Sequence, residues 1–346
     1  MSVLRPVHSV IVDGNDVTSR ILPRLLEVEV VDKEGTSSDT AEIKLADPDG
    51  TTILPQPGAK ISIALGFAPG APILVFEGTV DDPESQFGKG QVRTLSISAK
   101  GFDTKGKAKQ PQRGHADNQK FGDVATKWAR AAGLEAKIDS ALGSIQRDYW
   151  SIDGESFLHW GQRVAREIGA NFKVSGGRAI FVPINGATSA SGQSLTPIRA
   201  IWGDNLKSGR IRPYSGRGRF KEVKTRYYDA KEAKWKEKTV SVADNKAEAN
   251  LTTRFNAHDE GEAEGKATTE KKRSEKEGGA GEVTIVGEPT ARATATVQVR
   301  GVRPGVDGDY IATTVTHKAT KTQFDTKVSL KRPTGDAGKD TRKASK

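Results

Sequence analysis

Residues 149–181, YWSIDGESFLHWGQRVAREIGANFKVSGGRAIF, constrain the fold of this chain more than any other stretch. Phe157, Trp160, Gly161, Val164, Ala165 and Ile168 recur at helical spacing, with Arg163, Arg166 and Glu167 on the opposite face. Asp153 stands where an N-cap belongs, and Gly169 stands where a left-handed residue would end the helix. Residues 171–175 then alternate as a strand, Gly176-Gly177 supplies a turn, and residues 178–182 return. The spacing predicts a helix, a glycine stop and a β-hairpin. Nothing in it points to catalysis.

A similar pattern lies upstream. Phe121, Val124, Ala125, Trp128, Ala129, Ala132 and Gly133 fall on Phe157, Trp160, Gly161, Val164, Ala165, Ile168 and Gly169, and Ala136 and Ile138 then fall on Phe172 and Val174. A duplicated unit and a merely shared amphipathic pattern account for this equally well. On both readings Phe121, Trp128, Phe157, Trp160, Val164 and Ile168 form the structural core of a compact α/β unit, at 115–183, in a chain that otherwise reads as β.

At 346 residues the chain is long enough for two or three cores. It has no cysteine, which excludes disulfides, thiol catalysis and cysteine-based zinc sites. No run reaches transmembrane length, and the N-terminus lacks the apolar core of a signal peptide, so a soluble protein made in a cytoplasm is expected. The net charge is +10. Part of it sits in the last sixteen residues, where Lys331, Arg332, Lys339, Arg342, Lys343 and Lys346 outnumber Asp336 and Asp340. An aromatic-free lysine-rich end of this kind reads as a solvated tail rather than a phosphate-binding surface.

Read in order, residues 1–102 hold about seven short alternating segments and no convincing helix, which predicts a first small barrel or sandwich. Residues 103–194 hold a polar connector through His115, the α/β unit and a Gly/Ser/Ala-rich linker. Strands resume over 195–243 and again over 282–332, a second β region interrupted by an Ala/Glu/Lys-rich helical stretch at 244–281. That stretch has only a thin stripe, Ala263 and Ala267, and is expected to lie on the surface or against a partner. Residues 333–346 read as a disordered basic tail.

In this order the motifs resemble a known family. The opening Val12, Gly14, Asp16, Val17 and Thr18, the alternating 26–32 and 39–47, Gly66, and Phe76 with Gly78 are similar to its N-terminal part. The block from Glu155 to Phe172 and the late Gly308, Tyr310, Val315 and His317 continue the match. The chain thus resembles the phage late control D family, the baseplate hub of contractile tails, related to the N-terminal half of VgrG spikes. The resemblance implies an α+β, mainly β fold, with two tube-like β-barrel domains joined by a small α/β domain and a polar helical insertion. It also implies a homotrimeric ring that adapts a sixfold tail tube to a trimeric central spike, with tail tube, spike and other baseplate proteins as partners. The place implied is the tail of a virion or phage-tail-like particle, assembled in the bacterial host cytoplasm. Because the chain ends soon after the second β region without spike repeats, the spike is expected to be a separate chain.

No catalytic, cofactor or metal site is expected. Gly261 to Thr268 approximates a phosphate loop, but its glycines are one residue too close and Ala267 stands where Ser or Thr should ligate magnesium. His8, His115, His159, His258 and His317 show no ligand spacing. His159 and Arg163 share the polar side of the helix one turn apart. No G-x-S-x-G elbow occurs. Carboxylates suited to glycan cleavage meet only in a fold, so a peptidoglycan-degrading tail enzyme stays as one alternative. A DNA-binding late-gene regulator is another, because Arg210, Arg212, Arg217, Arg219 and Lys221 cluster about a Gly-rich segment. With no helix-turn-helix pattern beside them, these residues are better read as contacts to acidic groups of a neighbouring subunit or partner.

Overall fold

A computed structural model describes residues 4–35, 38–102, 106–184, 186, 193–214, 220–229, 232–242, 247–254, 256–334, 337–340 and 342. The first module begins with β1 (Arg5–Val12) and β2 (Asn15–Asp16), a one-turn helix α1 (Thr18–Ile21), β3 (Leu25–Lys33) and β4 (Thr40–Ala46). It continues through β5 (Lys60–Ala68), β6 (Ile73–Gln86) and β7 (Thr94–Lys100). Inward residues such as Val28, Val30, Ile43, Leu45, Ile63, Leu65 and Leu95 alternate with polar outward ones, and they make one core.

The α/β unit follows with β8 (Pro111–Lys120), α2 (Phe121–Ala131), β9 (Glu135–Ile138), α3 (Ser140–Gly143), β10 (Gln146–Ser156), α4 (Phe157–Ile168), β11 (Ala170–Ser175) and β12 (Arg178–Pro183). β12 is the centre of a small sheet, antiparallel to β11 and parallel to β9. β8 and β10 form a separate antiparallel ribbon. Phe121, Phe157 and Trp160 are fully buried, and Val164 and Trp128 nearly so, while Ile168 is partly buried at the edge of the same cluster. The rings of Trp160 and Trp128 meet edge to face at 4.8 Å, and Trp160 Nε1–H donates to the Ser151 carbonyl at 3.0 Å. α2 and α4 each run into a glycine of positive φ, 75° at Gly133 and 70° at Gly169, which stops the helix as its spacing predicts. The strands that follow diverge, because β9 and β11 take opposite edges of the sheet. Asp153 does not cap α4: it lies in β10 opposite Arg113, and Ser156 Oγ accepts the His159 N–H instead.

The rest of the chain comprises β13 (Ile198–Ile201), β14 (Leu206–Arg212), β15 (Glu222–Asp229), β16 (Lys234–Ser241), β17 (Asn250–Thr252), α5 (Glu260–Lys276), β18 (Ala280–Val286), β19 (Thr296–Arg300), β20 (Gly308–Ala319) and β21 (Phe324–Thr334). Of the 195–243 segment assigned from sequence to the second barrel, only β13 and β14 join β18–β21. Among the described residues β15, β16 and β17 pair only with one another, and Val223, Val242 and Ala267 close a small core under α5. Alternation marks a half-buried strand but not its neighbour, which is why the sequence alone assigned them to the wrong sheet. The helical insertion is shorter than 244–281: α5 starts behind an Asp259 cap, and residues 243–246 and 255 lie outside those described. Order at the C-terminus also runs past Arg332, since β21 reaches Thr334 and Ala337 is buried beside the second core. Residues 335–336, 341 and 343–346 of the expected tail lie outside the described residues.

The two β modules repeat one topology. The order β1-β5-β6-β7-β4-β3 in the first is matched by β13-β19-β20-β21-β18-β14 in the second, strand for strand in chain order. Two of the irregularities coincide, while shifts at Ile63/Ala64 and Asp309/Ile311 have no counterpart. β3 bulges against β4 between Leu25 and Glu27, and β14 bulges against β18 between Leu206 and Ser208. β6 shifts against β7 between Val80 and Pro83, and β20 shifts against β21 between Ala312 and Thr314. The matched pair β1/β5 is antiparallel and β13/β19 parallel, the one departure in direction. β20 then pairs with β3, from Thr314↔Lys33 to Ala319↔Val28, and fuses both modules into one thirteen-stranded sheet among the described residues.

Trp160 is the largest fully buried side chain. Trp160→Ala should therefore lower the unfolding free energy by about 3–5 kcal/mol, as for other buried aromatics. Chemical denaturation checks this, and an unchanged midpoint would show that the aromatic stripe does not hold the unit together.

Candidate interaction surfaces

Fusing the modules creates one continuous polar face. Across β14-β18-β21-β20-β3-β4-β7 the inward residues fill the two cores, and the outward ones are Arg210 and Arg212, Glu282 and Thr284, Lys327 and Ser329, Thr316 and Lys318, Glu27 and Glu29, Glu42 and Lys44, then Ser96 and Ser98. Seven strands at the usual spacing make this face roughly 30 Å wide. Several of its charges are matched across strands, Lys327 2.9 Å from Glu282 and Lys318 2.7 Å from Glu27, while Glu29 stands opposite Glu42. Exposed pairs of this kind add little stability. Their effect is a hydrated, nearly neutral β-surface.

The basic cluster expected from sequence is divided by the fold. Arg210 and Arg212 are two residues apart on the exposed strand β14, where Arg210 stands opposite Glu282. Lys221 opens the other sheet, its N–H donating to the Ala249 carbonyl at 2.8 Å. Arg217 and Arg219 lie outside the described residues. His159 is exposed beside Glu155 at 3.6 Å, whereas Arg163 bonds to Glu155, Glu167 and the Ser151 carbonyl. The phosphate-loop-like stretch is the first half of α5, and Lys266 there is paired with Glu262 at 3.0 Å. Ala263 and Ala267 of α5 are buried against the chain's own β15–β17 unit.

Sequence reasoning missed a buried clamp where all three parts of the chain meet. Lys173 Nζ of β11 lies 2.7 Å from Oδ1 of Asp32 on β3 and 2.7 Å from Oδ1 of Asp39 ahead of β4, meeting the latter off the hydrogen-bonding axis. Asp32 Oδ2 also accepts the Ala293 N–H from the second module at 2.9 Å. Burial works to raise the Asp32 pKa, but Lys173 and the Ala293 N–H overcome it and hold the carboxylate ionised. Burial, reinforced by Asp32, pushes Asp39 up to about 7. Beside the clamp Asn171 donates to Glu34 at 2.9 Å, and Glu34 pairs with Lys276 of α5. The available signal was phase, because Asp32 takes the inward position after Val28 and Val30.

Among the described residues no group of three or more His, Asp or Glu side chains is placed to hold a metal ion, and no helix is long and apolar enough to cross a membrane. A cleft of about 640 Å³ lies between β5–β6 and the α/β unit, lined by Ile61, Glu77, Thr79, Phe102 and Leu134 among others.

No family model matches the chain. In sequence it is similar to the probable baseplate hub protein of Escherichia phage P2, 26% identical over 197 residues, which cover 57% of this chain and 50% of that protein. It is likewise similar to the probable baseplate hub protein of Escherichia phage 186, 25% identical over 248 residues, 72% of this chain and 62% of that one. The alignments thus span only about half to three-fifths of these curated relatives. In fold it is similar to a tail protein from Neisseria meningitidis, with a TM-score of 0.70 at 14% identity over 94% of this chain and 96% of that one. The 43 kDa tail protein of prophage MuSo2 from Shewanella oneidensis gives 0.68 at 17% identity, over 95% and 98%. A component of the E. coli type VI secretion system gives 0.57 at 12% identity, over 92% and 76%. The mainly β architecture with its small α/β unit is therefore a phage-tail fold, shared with secretion-system relatives.

The clamp carries a pH signature. An acid whose folded pKa is raised binds more protons folded than unfolded between its ordinary value, 3.8, and about 7, so its contribution to stability declines as pH rises through that window. Asp39→Asn removes that titration. Its melting temperature relative to the unsubstituted chain should rise between pH 5 and pH 8, read by thermal melts at both. A constant offset would show that Asp39 does not titrate there.

Proposed function

We propose that this chain is a structural, non-enzymatic hub of a contractile phage tail or phage-tail-like baseplate. Three copies form a ring that offers six similar β modules to a sixfold tail tube and a threefold seat to a trimeric central spike. The observation that carries this reading is the duplication itself. One chain holds two modules of the same strand order, and a closed ring of three such chains has six module positions with threefold exact symmetry. The similarity to baseplate hub proteins of phages P2 and 186 supports the same reading.

The polar face supports it as well. A ring needs one wall in contact with water and one set of flanks in contact with its neighbours. The outward face of β14 to β7 is hydrated and charge-balanced across both modules, and it suits a wall that lines a water-filled bore. Against the DNA-binding alternative, Arg210 already faces Glu282, and Lys327 and Lys318 of that face are paired with Glu282 and Glu27. The place of action on this reading is the tail of a particle, with tail tube, spike and other baseplate proteins as partners.

Co-expression with the spike and tail-tube proteins of the same particle tests the reading. Light scattering on the purified complex should give the mass of three copies of this chain per spike trimer. A strictly monomeric product that binds neither protein would overturn it.

A further inference from the structure

The seam between the modules is a template for the contact between chains. Within one chain the C-terminal half of β20 is left uncovered by β19, and β3 of the first module fills that slot. In the first module β6 corresponds to β20. Its pairing with β5 ends at Thr79, while residues Pro83 to Gln86 pair with β7 alone. In the second module β14 corresponds to β3, and its only ladder partner among the described residues is β18. Each chain therefore carries one unfilled slot, the end of β6, and one unused strand of the type that fills such a slot, β14. We infer that β14 of one copy pairs antiparallel with the C-terminal half of β6 of the next copy, so that the interface between chains repeats the seam within each chain.

The shared irregularities give the register. Matching Leu206 to Leu25 and Ala312 to Val80 carries the intrachain pairs Thr316↔Val31, His317↔Val30 and Lys318↔Glu29 onto Glu84↔Arg212, Ser85↔Ile211 and Gln86↔Arg210. The charges then agree without having been used to choose the register. The β6 end carries Asp81, Asp82 and Glu84, and β14 carries Lys207, Arg210 and Arg212; Asp81 and Lys207 are already paired within the chain, with Lys100 and Asp325, so Glu84 and Arg212 carry the match. Glu84 and Arg212 face each other directly, where opposite charges favour the pairing and like charges oppose it. Glu84, Ser85, Gln86, Arg210 and Arg212 are exposed and Ile211 is half-buried, and Pro83, which has no N–H to offer a ladder, suits a strand edge. Phe87, 77% exposed in the single chain, continues the register onto Gly209. The occupant is a second copy of this chain, because slot and filler are both supplied by it and the two differ. Such a head-to-tail contact gives a ring where its rotation closes and an open filament where it does not, and the threefold ring proposed above is its closed form.

The inference rests on the ring reading above, and the test separates the two. In the full chain assembled with its spike, Glu84→Arg and Arg212→Glu should each reduce the ring fraction at least tenfold, with melting temperatures of the monomer preserved. The double variant restores the opposed charges in swapped order and should recover most of the assembly. The chain has no cysteine, so Gln86→Cys with Arg210→Cys should give disulfide-linked multimers up to the trimer on non-reducing gels, and neither single variant should form trimers. If rings form but the charge reversals and the cysteine pair have no effect, this contact is wrong and the hub reading stands. If the unsubstituted chain forms no ring with its spike, the hub reading falls and this contact with it.

Discussion

The ladder between β20 and β3 is the interaction on which the rest of this structure depends. It is six residues long, from Thr314↔Lys33 to Ala319↔Val28, and joins segments almost three hundred residues apart. On its buried side His317 stands opposite Val30, with Nδ1 3.1 Å from Thr326 Oγ1, and burial lowers its pKa to about 4. The ring therefore stays neutral at physiological pH and packs as part of the interior. The seam satisfies two strand edges that would otherwise be open to aggregation. It also fixes the phase of both modules, so that polar residues from one continue those of the other.

The remaining parts attach to that seam. Lys173 draws the α/β unit onto the end of β3 through Asp32 and Asp39, and the Ala293 N–H brings in the second module at the same carboxylate. Removing one member of such a buried set leaves uncompensated charge, which costs more than the intact set contributes. Its value lies in geometry: the ammonium reaches both acids only if the α/β unit is in register with the first module, and Asp32 accepts the Ala293 N–H only if the second module is as well. The β15–β17 unit forms a sheet of its own, and α5 covers it while reaching α4 through Arg273 and the Arg166 carbonyl and the end of β3 through Lys276 and Glu34. An insertion between β14 and β18 thus leaves the duplicated topology intact.

Legibility in the sequence followed the strength of local pattern. α4 and Gly169 were readable because a six-residue apolar stripe and a left-handed glycine are both local signals, and the hairpin of β11 and β12 followed from Gly176-Gly177. β8 and β10 were missed because most of their residues are exposed on both faces and show little period-2 contrast. The duplication left no signal in local pattern, since it resides in strand order and bulge positions, and only the family resemblance implied two β-barrel domains. Leu25-Leu26-Glu27 and Leu206-Lys207-Ser208 share a bulge and little else. Of the basic residues singled out, Arg210 and Arg212 do lie together on an open strand. What sequence could not supply was the acidic strand end of β6 as their counterpart, because that match appears only when the modules are superposed.

The central claim is that two modules in each chain become six around a ring. End-on electron micrographs of the chain assembled with its spike test it most directly. The account predicts a ring with six lobes about a central opening, in which alternate lobes become distinguishable once threefold averaging is applied. Three separated lobes, or a compact particle with no opening, would contradict it.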